Sequence, residues 1–246
     1  MFCVITVADR CLQTKHKARK ELIMLRGIWI LIILLIAGCT GYGPDELTIC
    51  CAGDSLMRPI PTHLRALMLS KGRRIDIKDW GRGGLSSRTY MPFYRKRLQK
   101  QMSSDVDFIL LQLGTNDVRP LYSGEYSLVQ FEANLKLIVD EFKKFPASRD
   151  NPVKILMASI PPFYAPEYKE MNHFIQGKLN PVIKNLSETE AVFFVDNWKV
   201  LSNRAQLYSP DGIHPNADGE RVLTQNWIRA MRRAVRSSFA LSDGFP

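Results

Sequence analysis

The chain has 246 residues, 46% of them hydrophobic and 24% charged, enough for one compact domain with a sizeable core. No fixed-period repeat, low-complexity tract or Pro/Gly-rich linker appears, which excludes a solenoid and offers no boundary for a second domain. The formal charge of +10 points to no nucleic-acid partner. The basic residues are not interleaved with base-stacking aromatics, and "RAMRRAVR" near the C-terminus puts cations where the end of a helix dipole favours them; a solvated basic face is the reading, with attraction to anionic lipid or acidic glycans left open.

At the N-terminus, Lys15, Lys17, Arg19, Lys20 and Arg26 precede the apolar run Ile28 to Ile36. A membrane-spanning helix needs about 20 apolar residues; this run stops sooner, at the small residues of "IAGC", which suits a processed signal. The segment resembles a bacterial lipoprotein signal. That resemblance implies that Cys39 is lipid-modified and becomes the mature N-terminus, and that the protein is extracytoplasmic, lipid-anchored to a bacterial membrane and periplasm-facing. Thr40 in second place implies the outer membrane by the same resemblance. An uncleaved membrane anchor stays open as an alternative. Met24-Leu25-Arg26 already supplies a basic start to the signal, so Met24 is the expected initiator; Lys20-Glu21 can be encoded by a purine-rich ribosome-binding sequence. The expected organisation is a leader and signal over 1–38, a short tether over 39–45 and a globular domain over 46–246. Removing residues 1–38 takes away six basic and two acidic side chains, leaving 28 against 22 and a net charge of +6. Of the cysteines, only the adjacent Cys50 and Cys51 then remain in the domain. On one strand they face opposite ways, forming neither a disulfide framework nor a metal site, and they read as small buried hydrophobes.

Through the rest of the chain, short runs rich in Val, Ile and Phe alternate with longer segments of helical period. The predicted strands are "LTICCA" near 48–53, "RIDIK" at 74–78, "DFILLQL" at 107–113, "VKILMAS" at 153–159 and "AVFFVD" at 191–196. The predicted helices cover Leu56 to Lys71, a stretch around Tyr94 to Met102, Leu128 to Phe145, Glu167 to Leu186 and Ala217 to Val235. Near-continuous apolar strands alternating with helices predict an α/β fold: a three-layer α/β/α sandwich around a central parallel sheet of about five strands. Ligands bind such sheets beyond the carboxyl ends of the strands.

The polar motifs fall there. "CAGDSLM" ends the first strand and presents Ser55 at the turn toward a helix, as a nucleophile beside outward-pointing N–H groups or as a helix N-cap. "LGTNDV" follows the third strand, with Asn116 as an amide donor and Asp117 as a loop-ordering acceptor. "YSPDGIHPNADG" carries Asp211 and His214 three residues apart. This pair suits a carboxylate holding the imidazole Nδ1–H so that Nε2 can accept a hydroxyl proton; it equally suits a turn followed by a helix capped by Asn216. His63 and His173 read as surface or packing residues, and Asp54 as a residue that orders the Ser55 loop. Phe163, Tyr164 and Tyr168 follow the fourth strand and either wall an acyl or sugar pocket or pack against the core.

In this order the blocks resemble the SGNH hydrolases, the GDSL esterase/lipase family, over roughly residues 46 to 235. "DWGRGGLSSRTY" (79–90) is similar to the family's second block in the manner of rhamnogalacturonan acetylesterase-like members, though Asp79 stands where Asn is common. The resemblance implies a flavodoxin-like SGNH fold and a serine ester hydrolase. Ser55, His214 and Asp211 would be its catalytic residues, and Ser55, Gly84 and Asn116 its oxyanion hole. It implies no metal and no cofactor, and a substrate that is an ester-bearing small molecule, a lipid or an acylated glycan. An O-acyltransferase using the same residues, or a non-catalytic binding lipoprotein, are the alternatives.

Overall fold

A computed structural model describes residues 47–97, 105–146 and 152–242. Cys39, the leader with Met24 and the tether over 39–45 lie outside the described residues. Five strands form one sheet: β1 (Leu47–Gly53), β2 (Ile75–Gly81), β3 (Phe108–Gln112), β4 (Lys154–Ala158) and β5 (Phe193–Val195), in the order β2-β1-β3-β4-β5 with every pairing parallel. This is the order of flavodoxin-like doubly wound sheets, whose switch point lies between β1 and β3.

Alternate residues of each strand feed the two faces, as a period of two requires. Cys50, Ala52, Ile109, Leu111, Ile155 and Met157 pack on one side, against α2 (Ser87–Arg97), α4 (Leu128–Phe142) and α6 (Asn180–Thr189). Ile49, Cys51, Phe108, Leu110, Leu156 and Ala158 pack on the other, against α1 (Ile60–Leu69) and α8 (Ala217–Ser242). Cys50 and Cys51 are therefore buried on opposite faces, and burial pushes both thiols well above their ordinary range. The first face is dense in aromatics: Trp80 lies 6.2 Å from both Tyr94 and Phe142 and 5.3 Å from Phe145. Such pairs each add about 0.5–1.5 kcal/mol to what area burial supplies.

Local chemistry sets several boundaries. Ser127 and Gln130 close a reciprocal capping box at the start of α4. The helix expected over Glu167 to Leu186 is broken into α5 (Lys169–Phe174), a π-helical turn (Ile175–Leu179) and α6. Pro181 has no N–H for the carbonyl of Gly177, and its ring crowds that carbonyl, so the coil widens. The helix expected from Leu56 starts at Ile60, after Pro59; the one expected around Tyr94 to Met102 starts earlier, at Ser87, and is described as far as Arg97, the expected positions 98–102 lying outside the described residues. Two short helices, α3 (Val118–Tyr122) and α7 (Asn197–Leu201), were not expected. Among the described residues, no helix is long and apolar enough to cross a membrane.

Candidate active site

The carboxyl ends of the three adjacent strands finish in one row. Gly53 of β1 is in register with Gly81 of β2 on one side and Gln112 of β3 on the other. Ser55 follows that row by two residues, Gly84 by three and Asn116 by four, so the register alone brings three distant segments together. Gly53 is required at this point: its φ is +150°, and a Cβ there would meet the Gln112 carbonyl oxygen at 2.0 Å. Asp54 continues the pairing, its N–H donating to Gln112 O at 3.1 Å.

Ser55 sits in a turn and not at a helix N-terminus. α1 begins five residues later, which removes the N-cap reading and any role for that helix's dipole at the hydroxyl. The turn is held by Asp54, whose Oδ1 accepts the N–H of Leu56 at 3.0 Å. Asp54 is fully buried. Burial raises its carboxyl from 3.8 to about 7, with Leu56 N–H and the hydroxyl and N–H of Thr115 pulling the other way. Those Thr115 contacts fall short of regular hydrogen-bond geometry, and Asp54 Oδ2 and Thr115 Oγ1 both stay unpaired.

Asn116 and Asp117 lie in a 3-10 turn, Thr115–Asp117, directly after β3. Asp117 is the acceptor that ties this turn to the β2 block. Its two oxygens take the N–H of Ser87 at 3.1 and 2.9 Å, Oδ1 takes the Ser87 hydroxyl at 2.7 Å, and Oδ1 also takes the Tyr126 hydroxyl. Asn116 donates one amide proton to Leu85 O at 2.9 Å, leaving its second Nδ2–H available. The N–H groups of Ser55 and Gly84 have no hydrogen-bond partner among the described residues.

The fourth segment arrives from before α8. Tyr208 and Pro215 form an isolated bridge, Ser209 N–H donates to His214 O at 2.8 Å, and Gly212 N–H to Ser209 O at 2.9 Å. Gly212 fixes this loop against the one after β4: Tyr164 N–H donates to its carbonyl at 2.6 Å, and a Cβ at its φ of +63° would meet Ala165 N at 2.2 Å. Asn216 does cap the following helix, accepting the N–H groups of Asp218 at 3.0 Å and Gly219 at 3.2 Å. The capping and side-chain pair readings of this motif therefore coexist.

His214 Nε2 lies 2.9 Å from Ser55 Oγ, and His214 Nδ1 lies 2.6 Å from Asp211 Oδ2. The other Asp211 oxygen accepts the N–H groups of His214 at 2.9 Å and Ile213 at 3.0 Å. Burial alone would raise the Asp211 carboxyl; these two N–H groups and the imidazole outweigh it and hold the carboxyl below its ordinary range. An ionised Asp211 can only accept, which makes Nδ1 the protonated nitrogen and leaves Nε2 to accept from the serine hydroxyl.

These groups open onto a cleft of about 520 Å3 lined by Ser55, Gly84, Asn116 and His214 together with apolar walls from Phe163, Tyr168, Met171 and Ile213. Tyr164 is not among them. Its ring packs 4.7 Å from Tyr208, and its hydroxyl bridges Leu201 O and Arg204 N–H, so it braces the His214 loop from behind. His63 pairs with Glu220 at 2.9 Å, away from the cleft, and His173 is exposed on α5. The sequence reading missed Arg119, Met171 and Ile213 as lining residues; Ile213 was placed between two motif residues and carried no polar signal of its own. No group of acidic, His and Cys side chains among the described residues could hold a metal ion.

Residues 39–222 match the model of the GDSL-like lipase/acylhydrolase family. An acetylxylan esterase of Xylanibacter ruminicola is 22% identical over 205 residues, covering 74% of this chain and 42% of that protein, so the chain spans less than half the length of this curated relative. Among solved structures, an acetylxylan esterase from Geobacillus stearothermophilus superposes with a TM-score of 0.60 at 20% identity, covering 76% of this chain and 94% of the other. A lipase/acylhydrolase from Enterococcus faecalis gives 0.64 at 14% identity, covering 77% and 97%. These structures share the fold found here.

Proposed function

Because the chain belongs to the GDSL-like lipase/acylhydrolase family, we propose that it is a serine ester hydrolase with Ser55 as nucleophile, His214 as general base and Asp211 as the carboxylate that orients it. The observation that carries this reading is the unbroken relay from Ser55 Oγ to His214 Nε2 at 2.9 Å and from His214 Nδ1 to Asp211 Oδ2 at 2.6 Å. Ser55 Oγ attacks the ester carbonyl carbon while its proton passes to Nε2, and Asp211 stabilises the imidazolium that forms. The tetrahedral oxyanion accepts from the N–H groups of Ser55 and Gly84 and from the free Nδ2–H of Asn116. Collapse expels the alcohol, which takes the proton from Nε2. Water then repeats the sequence on the acyl-serine, releasing the acid.

The side chains of Asp211 and His214 are 48% and 45% exposed, so water reaches the base directly, which favours hydrolysis over transfer to another alcohol. Both acetylxylan esterases among the similar proteins support an acetylated oligosaccharide as substrate. Attachment through a lipid on Cys39, outside the cytoplasm, remains part of the proposal on the strength of "IAGC". The test is acetate release from acetylated xylo-oligosaccharides together with covalent labelling by a fluorophosphonate. Both should vanish in Ser55→Ala with the fold intact by circular dichroism. Acetate release within tenfold of wild type in that variant refutes the assignment; equal loss of acetyl groups to an added sugar acceptor and to water would make the protein a transferase.

A further inference from the structure

Ser55 stands between two depressions of different chemistry. On one side is the apolar-walled cleft with His214. On the other, a cleft of about 540 Å3 is lined by Arg58, Arg82, Arg97, Phe93 and Asp79, a volume in the range of ligand sites. The two meet at the loop after β2: Gly84 lines the first and Gly83 the second, and a Cβ on Gly83 would lie 3.9 Å from that of Ser55.

Three arginines line this concavity and none forms a salt bridge among the described residues. The one carboxylate there, Asp79, has an oxygen occupied by the N–H of Gly81 at 3.0 Å, so cations exceed anions three to one. Arg97 belongs to the run Arg95-Lys96-Arg97 on α2, and a solvated basic run on a helix accounts for a cation there. Arg58 and Arg82 have no such account. Arg58 lies in the turn that carries Ser55, its N–H donating to Ser55 O at 3.3 Å. Arg82 is tied to the end of β1 by its N–H to Gly53 O at 3.0 Å, and its guanidinium lies 5.5 Å above the Phe93 ring. An arginine ordered over an aromatic face loses less freedom on forming a paired hydrogen bond, and its fork matches carboxylate and phosphate oxygens. A concave site one residue along the same loop from the cleft that holds the nucleophile fits a substituent of the reacting molecule better than it fits a planar membrane surface.

We infer that the Arg58–Arg82–Arg97 cleft is a subsite for an anionic substituent, a sugar carboxylate or phosphate, next to the scissile ester, so that the preferred substrate is an acylated acidic oligosaccharide. This rests on the hydrolase reading. The test compares kcat/KM at low salt on acetylated xylo-oligosaccharide, on the same oligosaccharide bearing a glucuronic acid branch, and on an acetylated sugar phosphate. At least one acidic substrate should exceed the neutral one by tenfold or more, and which one does so identifies the anion. The advantage should shrink toward unity in 0.5 M salt and in Arg58→Gln/Arg82→Gln, with Arg58→Lys/Arg82→Lys recovering part of it. Equal or better turnover of the neutral substrate, or an advantage that survives the double Gln substitution, overturns the inference while leaving the hydrolase standing. If no ester is turned over, the hydrolase reading fails, and calorimetric titration with non-acetylated glucuronoxylo-oligosaccharide decides. Binding that is lost in the Gln variant keeps the subsite; absence of binding overturns it. A protein that binds anionic phospholipid vesicles through these arginines, yet discriminates no acidic sugar, overturns it as well.

Discussion

Replacing Asp54 by Asn should make the protein relatively more stable as the pH rises. The carboxyl is fully buried behind the nucleophile and burial lifts it from 3.8 to about 7. Below pH 3.8 the folded and unfolded chains both hold this proton, and its contribution is level. Between 3.8 and about 7 the unfolded chain releases the proton while the folded one keeps it, so stability falls with pH. Above about 7 both are ionised and the loss is complete. At about 1.4 kcal/mol per pH unit, that interval amounts to about 4 kcal/mol, a large share of the roughly 5–15 kcal/mol typical of a domain. Asn cannot ionise, and its carbonyl can still accept the Leu56 N–H that Asp54 accepts at 3.0 Å. Urea unfolding at pH 5, 6, 7 and 8, followed by the emission of the buried Trp80 and Trp227, gives the difference between variant and wild type, from which all other titrations cancel. That difference should move in favour of Asn by about 2–3 kcal/mol between pH 5 and 7 and then level off. A difference that stays flat across this range would mean that Asp54 is ionised throughout, and the argument from its burial would fail.

Asn116→Ala removes one oxyanion donor and should lower kcat by about 100- to 1000-fold with little change in KM; a loss under tenfold in steady-state assays would take Asn116 out of the hole. Residues that act as one unit are far from additive, so Asp211→Ala/His214→Ala should be barely slower than His214→Ala alone. Single losses that multiply in the double variant would separate Asp211 from the imidazole. Cys39→Ser should abolish incorporation of an alkyne-tagged fatty acid into the protein in a bacterial host, and labelling that persists would refute lipidation at that residue.

The layered fold was legible because β1, β3 and β4 are apolar runs buried on both faces, while the edge strand β2 alternates buried Ile75 and Ile77 with exposed Asp76, and such runs separated by helical segments leave few alternatives. The candidate residues were legible for two different reasons: Ser55 and Asn116 are polar residues just past the buried strands β1 and β3, where a parallel sheet presents its loops, whereas Asp211 and His214 follow no strand and were marked only by their three-residue spacing ahead of the last helix. What the sequence hid were effects of distance. Ser55 looked like a helix cap because the first helix appeared to start at Leu56, whereas Pro59 and Pro61 delay it to Ile60. Tyr164 looked equivalent to Phe163, yet its ring packs on Tyr208 and its hydroxyl binds Leu201 O and Arg204 N–H, contacts to residues far along the chain that hold it out of the cleft lining. Ser87 and Tyr126 carried no signal at all, because their role is to satisfy Asp117, and that contact spans 30 residues for Ser87 and 9 for Tyr126.

The placement of several unmet polar groups singles out the candidate site without recourse to any motif. Among the described residues, the buried side-chain atoms without a partner are Asp54 Oδ2, Thr115 Oγ1 and three tyrosine hydroxyls. Each such group costs about 1–3 kcal/mol to leave unpaired; Tyr208 belongs to the loop that carries His214, while Tyr90 and Tyr94 lie together in the aromatic cluster of the first face. Asp54 and Thr115 flank Ser55 and Asn116, where the N–H groups of Ser55 and Gly84 also stand free. The polar interior next to them is satisfied: Asn197 donates to Gln112 at 2.7 Å and Asn226 to Asn197 at 3.0 Å, beneath the same edge of the sheet. A chain that pairs the amides one layer down had the means to pair those above. The open donors at the ends of β1, β2 and β3 stand where a developing negative charge would make use of them.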